Sequence, residues 1–238
     1  LADKLRGYIG LTMDMATQPK KVLAACEALM PHLCHVGLTT ADAAKRVPIG
    51  LWMHRGCVPF VNPGQFDSHY WPTLKPVVEE FWKHGHQTLF YAEGKWKHHF
   101  DTFRELPDRS IVFHCDRDDI FELHRRLHDK FALSGGVPNM MLSYGKQEEV
   151  RDFTRRVLRE VAADGGYILD AGAIMQDDTN IENMRAMTDA WRSLRSDPEA
   201  EGVRSPLPVE VLEDRFLAEC GDHETPEQAF EHSFAQTV

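Results

Sequence analysis

The middle of the chain alternates short apolar runs with amphipathic stretches, and this alternation restricts the fold more than any other feature. The apolar runs are residues 48–55 (PIGLWMHR), 86–93 (HQTLFYAE), 110–115 (SIVFHC), 130–135 (KFALSG) and 166–171 (GYILDA). Each has the length of a strand and is near-continuous in apolar character, as expected for strands buried on both faces. Helical stretches lie between and after them, at residues 65–83, 98–106, 119–128, 147–163 and 180–194. The fourth is the clearest, because Val150, Phe153, Val157, Leu158 and Val161 form one apolar stripe. Strands alternating with helices predict right-handed crossovers and a parallel sheet. Five such units do not close a (β/α)8 barrel, which needs roughly 250 residues. The fold expected is therefore an α/β, TIM-type barrel that lacks its N-terminal units, with a smaller open α/β sheet as the alternative. Residues 1–47 add helices and one expected strand near His35.

The barrel part is expected over residues 1–195 and an acidic tail with short helices over residues 196–238. The tail carries 11 Asp/Glu against two Arg, so it holds nearly all of the net charge of -10. No basic stripe tracks a phosphate backbone, which argues against nucleic-acid binding. No run of about 18 apolar residues predicts a membrane span, and no signal pattern opens the chain. The first residue is Leu1, which predicts a native start upstream. Five cysteines are scattered without a CxxC pair, which fits a reducing, cytoplasmic setting.

In parallel α/β folds the chemistry sits where strands end at their C-terminal edge. The first run ends in His54 and Arg55, the second in Glu93, the third in His114, Cys115 and Asp116, and the fifth in Asp170. His54, Glu93 and His114 are the residue types of a nitrogen- and oxygen-ligated zinc site. Glu93 and His114 have 20 residues between them, about one βαβ repeat, so they can stand on adjacent strand ends. For any one of these residues, helix capping or pairing with Arg55, Arg104 or Arg117 weighs as much as catalysis. For the convergent set function is favoured, because burying several such groups without purpose is costly. Within the run Asp116 to Asp119, helix capping is the expected role, with Asp116 placed to orient His114. Gly135 and Gly136 mark a strand leaving its sheet in a tight turn. Trp71, Trp96 and Phe60 offer an apolar wall, against the competing reading of ordinary packing.

Several passages together resemble one family. LADKLRGYIGLTMDMATQPKKVL, HRGC...QFDSHYWPTLKPVVE, LFYAEGKW, FRELPDRSIVFHCDRDDIF, SGGVPNMMLSYGKQEEV and GGYILDAGA...NIENMRAM follow the order of the uroporphyrinogen decarboxylase superfamily, over residues 1–194. The resemblance implies a (β/α)8 barrel with its site at the C-terminal rim, and either of two chemistries. One is metal-free decarboxylation of uroporphyrinogen, in porphyrin biosynthesis. The other is zinc-dependent methyl transfer to or from a corrinoid carried by a partner protein. The decarboxylases' Gly-His-Gly places its His on Ala173, as does the later Cys ligand of the methylcobamide:thiol methyltransferases; the latter's His-x-Cys pair falls on Tyr91 and Glu93. The chain looks more like the ether- and amine-demethylating components, whose Glu-x20-His matches Glu93 and His114. Their first Glu would fall on Val78, beside Glu79, which leaves the third ligand open between Glu79 and His54.

The resemblance thus implies a corrinoid-dependent methyltransferase with zinc on Glu93, His114 and either Glu79 or His54. His54 or Asp170 would be the general acid, and Arg55, Tyr91 and Trp96 the substrate contacts. Expected partners are a small methylated ether or amine, a corrinoid protein and a second copy of the chain. The alternatives are a tetrapyrrole decarboxylase without cofactor and a non-catalytic barrel fragment in a larger assembly.

Overall fold

The computed structural model describes residues 2–195. Three helices come first, α1 (Ala2–Arg6), α2 (Tyr8–Thr17) and α3 (Pro19–Thr39), followed by β1 (Ile49–Trp52). Next are α4 (Pro63–Gln65), a π-helical turn (Phe66–Tyr70), α5 (Trp71–Lys83), β2 (Thr88–Ala92) and α6 (Phe100–Phe103). The remaining elements are β3 (Ile111–Cys115), α7 (Ile120–Leu127), β4 (Ala132–Gly135), α8 (Asn139–Tyr144), α9 (Gln147–Glu160), β5 (Tyr167–Ile168) and α10 (Ile181–Arg195). The acidic stretch at residues 196–238 lies outside the described residues.

All five expected strands form, and they pair parallel in the order β1-β2-β3-β4-β5. A doubly wound sheet would reverse its order at a switch point. This one never does, so each right-handed crossover lays its helix on the same face. That is the wall of a (β/α)8 barrel, with helices outside and strand ends at one rim.

The helix-side face carries the core. Phe90, Phe113 and Leu133 lie in one cross-strand row and are essentially buried with Phe66, Trp96, Phe100, Phe103 and Leu123. Fully burying one such side chain is worth about 1.5–3 kcal/mol. The opposite face is more open than near-continuous apolar runs imply. β2 alternates buried and half-buried positions, and β1 alternates half-buried and exposed ones.

Helix starts follow local chemistry. Asn62 and Gln65 form a reciprocal capping box ahead of the Phe66 turn. Asp119 caps α7 by accepting from the Phe121 and Glu122 amides at 2.8 and 3.3 Å.

Two sequence expectations need correction here. The region around His35 is not a strand but part of α3, 21 residues long. A short apolar run is ambiguous by periodicity, and here helical continuity through Pro31 prevails. By length and composition α3 is also apolar enough to cross a membrane, unlike the sequence expectation. In the folded chain its Cys26, Leu29, Met30 and Leu33 line a cavity shared with α2, β1 and α5. Helix α8, between β4 and α9, had no counterpart in the apolar pattern.

Candidate active site

Register fixes the site. Trp52 stands opposite Tyr91, Tyr91 opposite His114, His114 opposite Ser134 and Ser134 opposite Ile168. Residues in register on parallel strands share a face, and this row is on the face away from the helices. Trp52 and Ile168 at its ends are 55% and 57% exposed. The rings stack in sequence: Trp52 on Tyr91 with centroids 4.9 Å apart, and Tyr91 on His114 at 4.6 Å and nearly parallel. Two positions further along, the period of two puts His54, Glu93, Asp116 and Asp170 above this row at the rim. His54 and Glu93 meet there, Nδ1 to Oε2 at 2.7 Å, both about one-third exposed. An ion pair this exposed is worth at most about 1 kcal/mol, so stability alone gives little reason for it.

His114 is buried and both its ring nitrogens are occupied. Nε2 lies 3.0 Å from the Gly172 carbonyl, which can only accept, so Nε2 carries the proton. Nδ1 then accepts from the Ser134 hydroxyl at 2.9 Å. Burial lowers the His114 pKa from its ordinary value, against the opposing pull of Asp170 and Asp116. The ring is therefore held neutral and in one tautomer. Gly135, at φ 75°, makes this fit possible, because a Cβ there would come within 2.9 Å of the His114 ring. Burial similarly raises the pKa of Tyr91.

The acidic run after β3 holds the neighbouring loop. Asp116 accepts from the Gly94 amide at 2.8 Å, and Asp118 from the Trp96 and Lys97 amides at 2.6 and 3.2 Å. Burial raises the pKa of both carboxyls, and the amides oppose that shift. The Glu93 carbonyl accepts from the Trp96 indole at 2.9 Å, so the backbone that carries the Glu93 carboxylate is fixed. Beside β1 a cavity of about 480 Å³ is lined by Trp52, His54, Arg55, Tyr8, Met15 and Phe60. Arg55 turns there at φ 53° and lays its guanidinium 4.8 Å from the Tyr8 ring centre.

The structure thus brings His54 and Glu93 together, places Tyr91 beneath them and sets Asp170 on the same rim with its Oδ1 on the Ala171 amide at 2.8 Å. It does not gather the expected metal ligands. Glu79 lies on α5, past the midpoint of a helix running back to the edge where strands begin. His114 is one layer below Glu93, with both nitrogens committed to Ser134 and Gly172. Asp116 serves Gly94 and is not the hydrogen-bond partner of His114. Trp96 is fully buried among Phe66, Tyr70, His99 and Phe103, so it is a core residue and not a substrate contact. The residues that sequence reasoning missed are Trp52 and Ser134. Each could be found by counting: Trp52 is two residues before His54, and Ser134 is the polar residue inside an apolar run.

A sequence model of the uroporphyrinogen decarboxylase (URO-D) family matches residues 2–194. The chain belongs to this family. This URO-D chain shares its fold with a solved methyltransferase from Methanosarcina mazei, at a TM-score of 0.62 and 14% identity. The match covers 79% of this chain and 54% of that one, so the chain spans about half the length of the solved structure. At that identity the likeness is one of fold. No curated protein matches the sequence.

The donor atoms of this URO-D rim do not fit a zinc ion on Glu79, Glu93 and His114. Among the described residues, the three metal-ligating side chains that converge, within 4.8 Å of one another, are His124, His128 and Asp164, on α7 and the turn before β5.

Proposed function

We propose that the rim binds a small methylated amine and supports transfer of its methyl group to a corrinoid carried by a partner protein. The observation that carries this reading is the pairing of an exposed aromatic face, Trp52 on Tyr91, with the carboxylates Glu93, Asp116 and Asp170 above it. Aromatic faces and carboxylates together suit a methylated ammonium, through ring quadrupole and charge. The same carboxylates would repel a uroporphyrinogen, which carries several carboxylates of its own. They give a neutral methyl ether no charge to meet.

The chain's own residues bind and manage a proton. His54, held at 2.7 Å by Glu93, gives its proton to an amine nitrogen that enters unprotonated; the ammonium so formed is the cation that the rings and carboxylates hold, and its nitrogen leaves as a neutral amine when the methyl carbon is displaced. Asp170 adds negative charge on the opposite side of the same rim. His114, itself held by the Ser134 hydroxyl, stacks beside Tyr91 in the same row and keeps that ring in place. A reduced corrinoid supplies the electron pair that the methyl carbon accepts.

The test is incubation with trimethylamine carrying labelled methyl groups and free cob(I)alamin as acceptor. Labelled methylcobalamin and dimethylamine are expected, with both falling about 100-fold or more in Glu93→Gln, in the range of general acid–base contributions. Turnover of uroporphyrinogen without methyl transfer would replace this reading with decarboxylation.

A further inference from the structure

The cluster of His124, His128 and Asp164 lies outside the rim. α7 follows β3 and runs back toward the edge where strands begin, so its last turn is at the opposite end of the sheet. His124, in this last turn, and His128, the helical C-cap residue that follows it, are four residues apart and share a face. Asp164 reaches them from the short turn that precedes β5. One donor atom from each of the three lies within 4.8 Å of the others.

The ring of His128 is set for ligation. His128 Nδ1 is 2.7 Å from the His124 carbonyl, an acceptor only, so Nδ1 holds the proton and Nε2 is left with its lone pair. His124 is 8% exposed, and its buried Nε2 has no hydrogen-bond partner. That atom sits 3.2 Å from Asp164 Oδ2, within ion-pair range. A buried nitrogen left in this state is costly, and a metal ion between it and the carboxylate removes the cost. The nearby carboxylate of Asp129 is not a competitor, since Arg104 holds both its oxygens at 2.7 Å. Burial lowers the His124 pKa, with His128 and Arg125 adding to that lowering against the pull of Asp164.

We propose that His124, His128 and Asp164 form a binding site for a divalent transition metal of zinc's type, with two imidazole nitrogens, one carboxylate oxygen and water completing a tetrahedron. The ion pins the end of α7 to the turn that leads into β5. This site is independent of the rim chemistry.

Calorimetric titration of the full chain with zinc chloride, repeated with cobalt(II) for its tetrahedral absorption, tests the site. One ion per chain is expected, with zinc raising the melting temperature. His128→Ala and Asp164→Ala, both at exposed positions, should each weaken binding by at least about 10-fold, the lower end of what losing even an outer partner of a metal ligand costs, and abolish the thermal shift, with circular dichroism unchanged. His98→Ala, an exposed histidine elsewhere, should bind as the parent does. Absence of stoichiometric binding, or equal binding by His128→Ala and Asp164→Ala, overturns the proposal. So does loss of the bound ion in Glu93→Ala with His128→Ala unaffected, which would place the metal at the rim.

Discussion

Replacing Ser134 by alanine removes one hydroxyl and nothing else of consequence, since the two side chains are close in size. That hydroxyl is the donor, at 2.9 Å, to the Nδ1 atom of a histidine whose other nitrogen is fixed by the Gly172 carbonyl. Ser134 and His114 are each only 3% exposed, so water does not readily replace the lost partner. The cost is that of a buried acceptor left unpaired, about 1–3 kcal/mol. For a domain of this size each kcal/mol moves the melting temperature by about 2–4 °C. Urea titration of Ser134→Ala should therefore show a lower midpoint at unchanged slope. The double variant with His114→Phe should recover part of the loss relative to the sum of the single changes, because removing both polar partners is less costly than stranding one. Nitrogen-15 spectra of the parent should show a neutral His114 ring protonated at Nε2. A Ser134→Ala variant within about 0.5 kcal/mol of the parent would refute the assigned tautomer and the role of the hydroxyl.

Other outcomes follow from single contacts. Trp52→Ala should raise the apparent dissociation constant for a methylated ammonium by about 2- to 30-fold, the worth of one cation–π contact, in direct binding measurements. Asp119→Ala removes the cap that accepts from the Phe121 and Glu122 amides and should cost about 0.5–2 kcal/mol of stability in urea titration. Burial holds His99 and His114 below their ordinary pKa of 6.5, so below that pH the unfolded chain binds more protons and stability falls as pH drops. Asp116 and Asp118, raised by burial, act in the opposite sense as they protonate. His99→Phe should therefore flatten the fall in urea midpoint between about pH 7 and pH 5.5, and an unchanged slope would discard His99 as its source.

Much of the architecture was legible in the sequence, because strands and helices differ in apolar period and alternate cleanly. All five strands fall inside the runs read as strands, and α7, α9 and α10 fall where amphipathic stretches were read. The rim was legible only in part. A spacing of 20 residues brings Glu93 and His114 to neighbouring strands, but register is set by backbone pairing, which spacing does not encode. His114 pairs with Tyr91 and not with Glu93, so Glu93 rises one layer higher and finds His54 instead. Trp96 misled because an aromatic residue just past a strand end can turn either to the rim or to the helix layer, and here its indole bonds the Glu93 carbonyl from within the core. Glu79 matched a family spacing to within one residue, yet it belongs to a helix that leads away from the rim.

Competitive binding at the rim tests the central claim most directly. Trimethylammonium and a uroporphyrinogen are titrated against the full chain and against Glu93→Gln and Trp52→Ala, with calorimetry as the readout. The rim described here predicts that the parent binds the cation, that both variants bind it more weakly, and that the polycarboxylate does not compete. Binding of the uroporphyrinogen in preference to the cation, undiminished in Glu93→Gln, would contradict it.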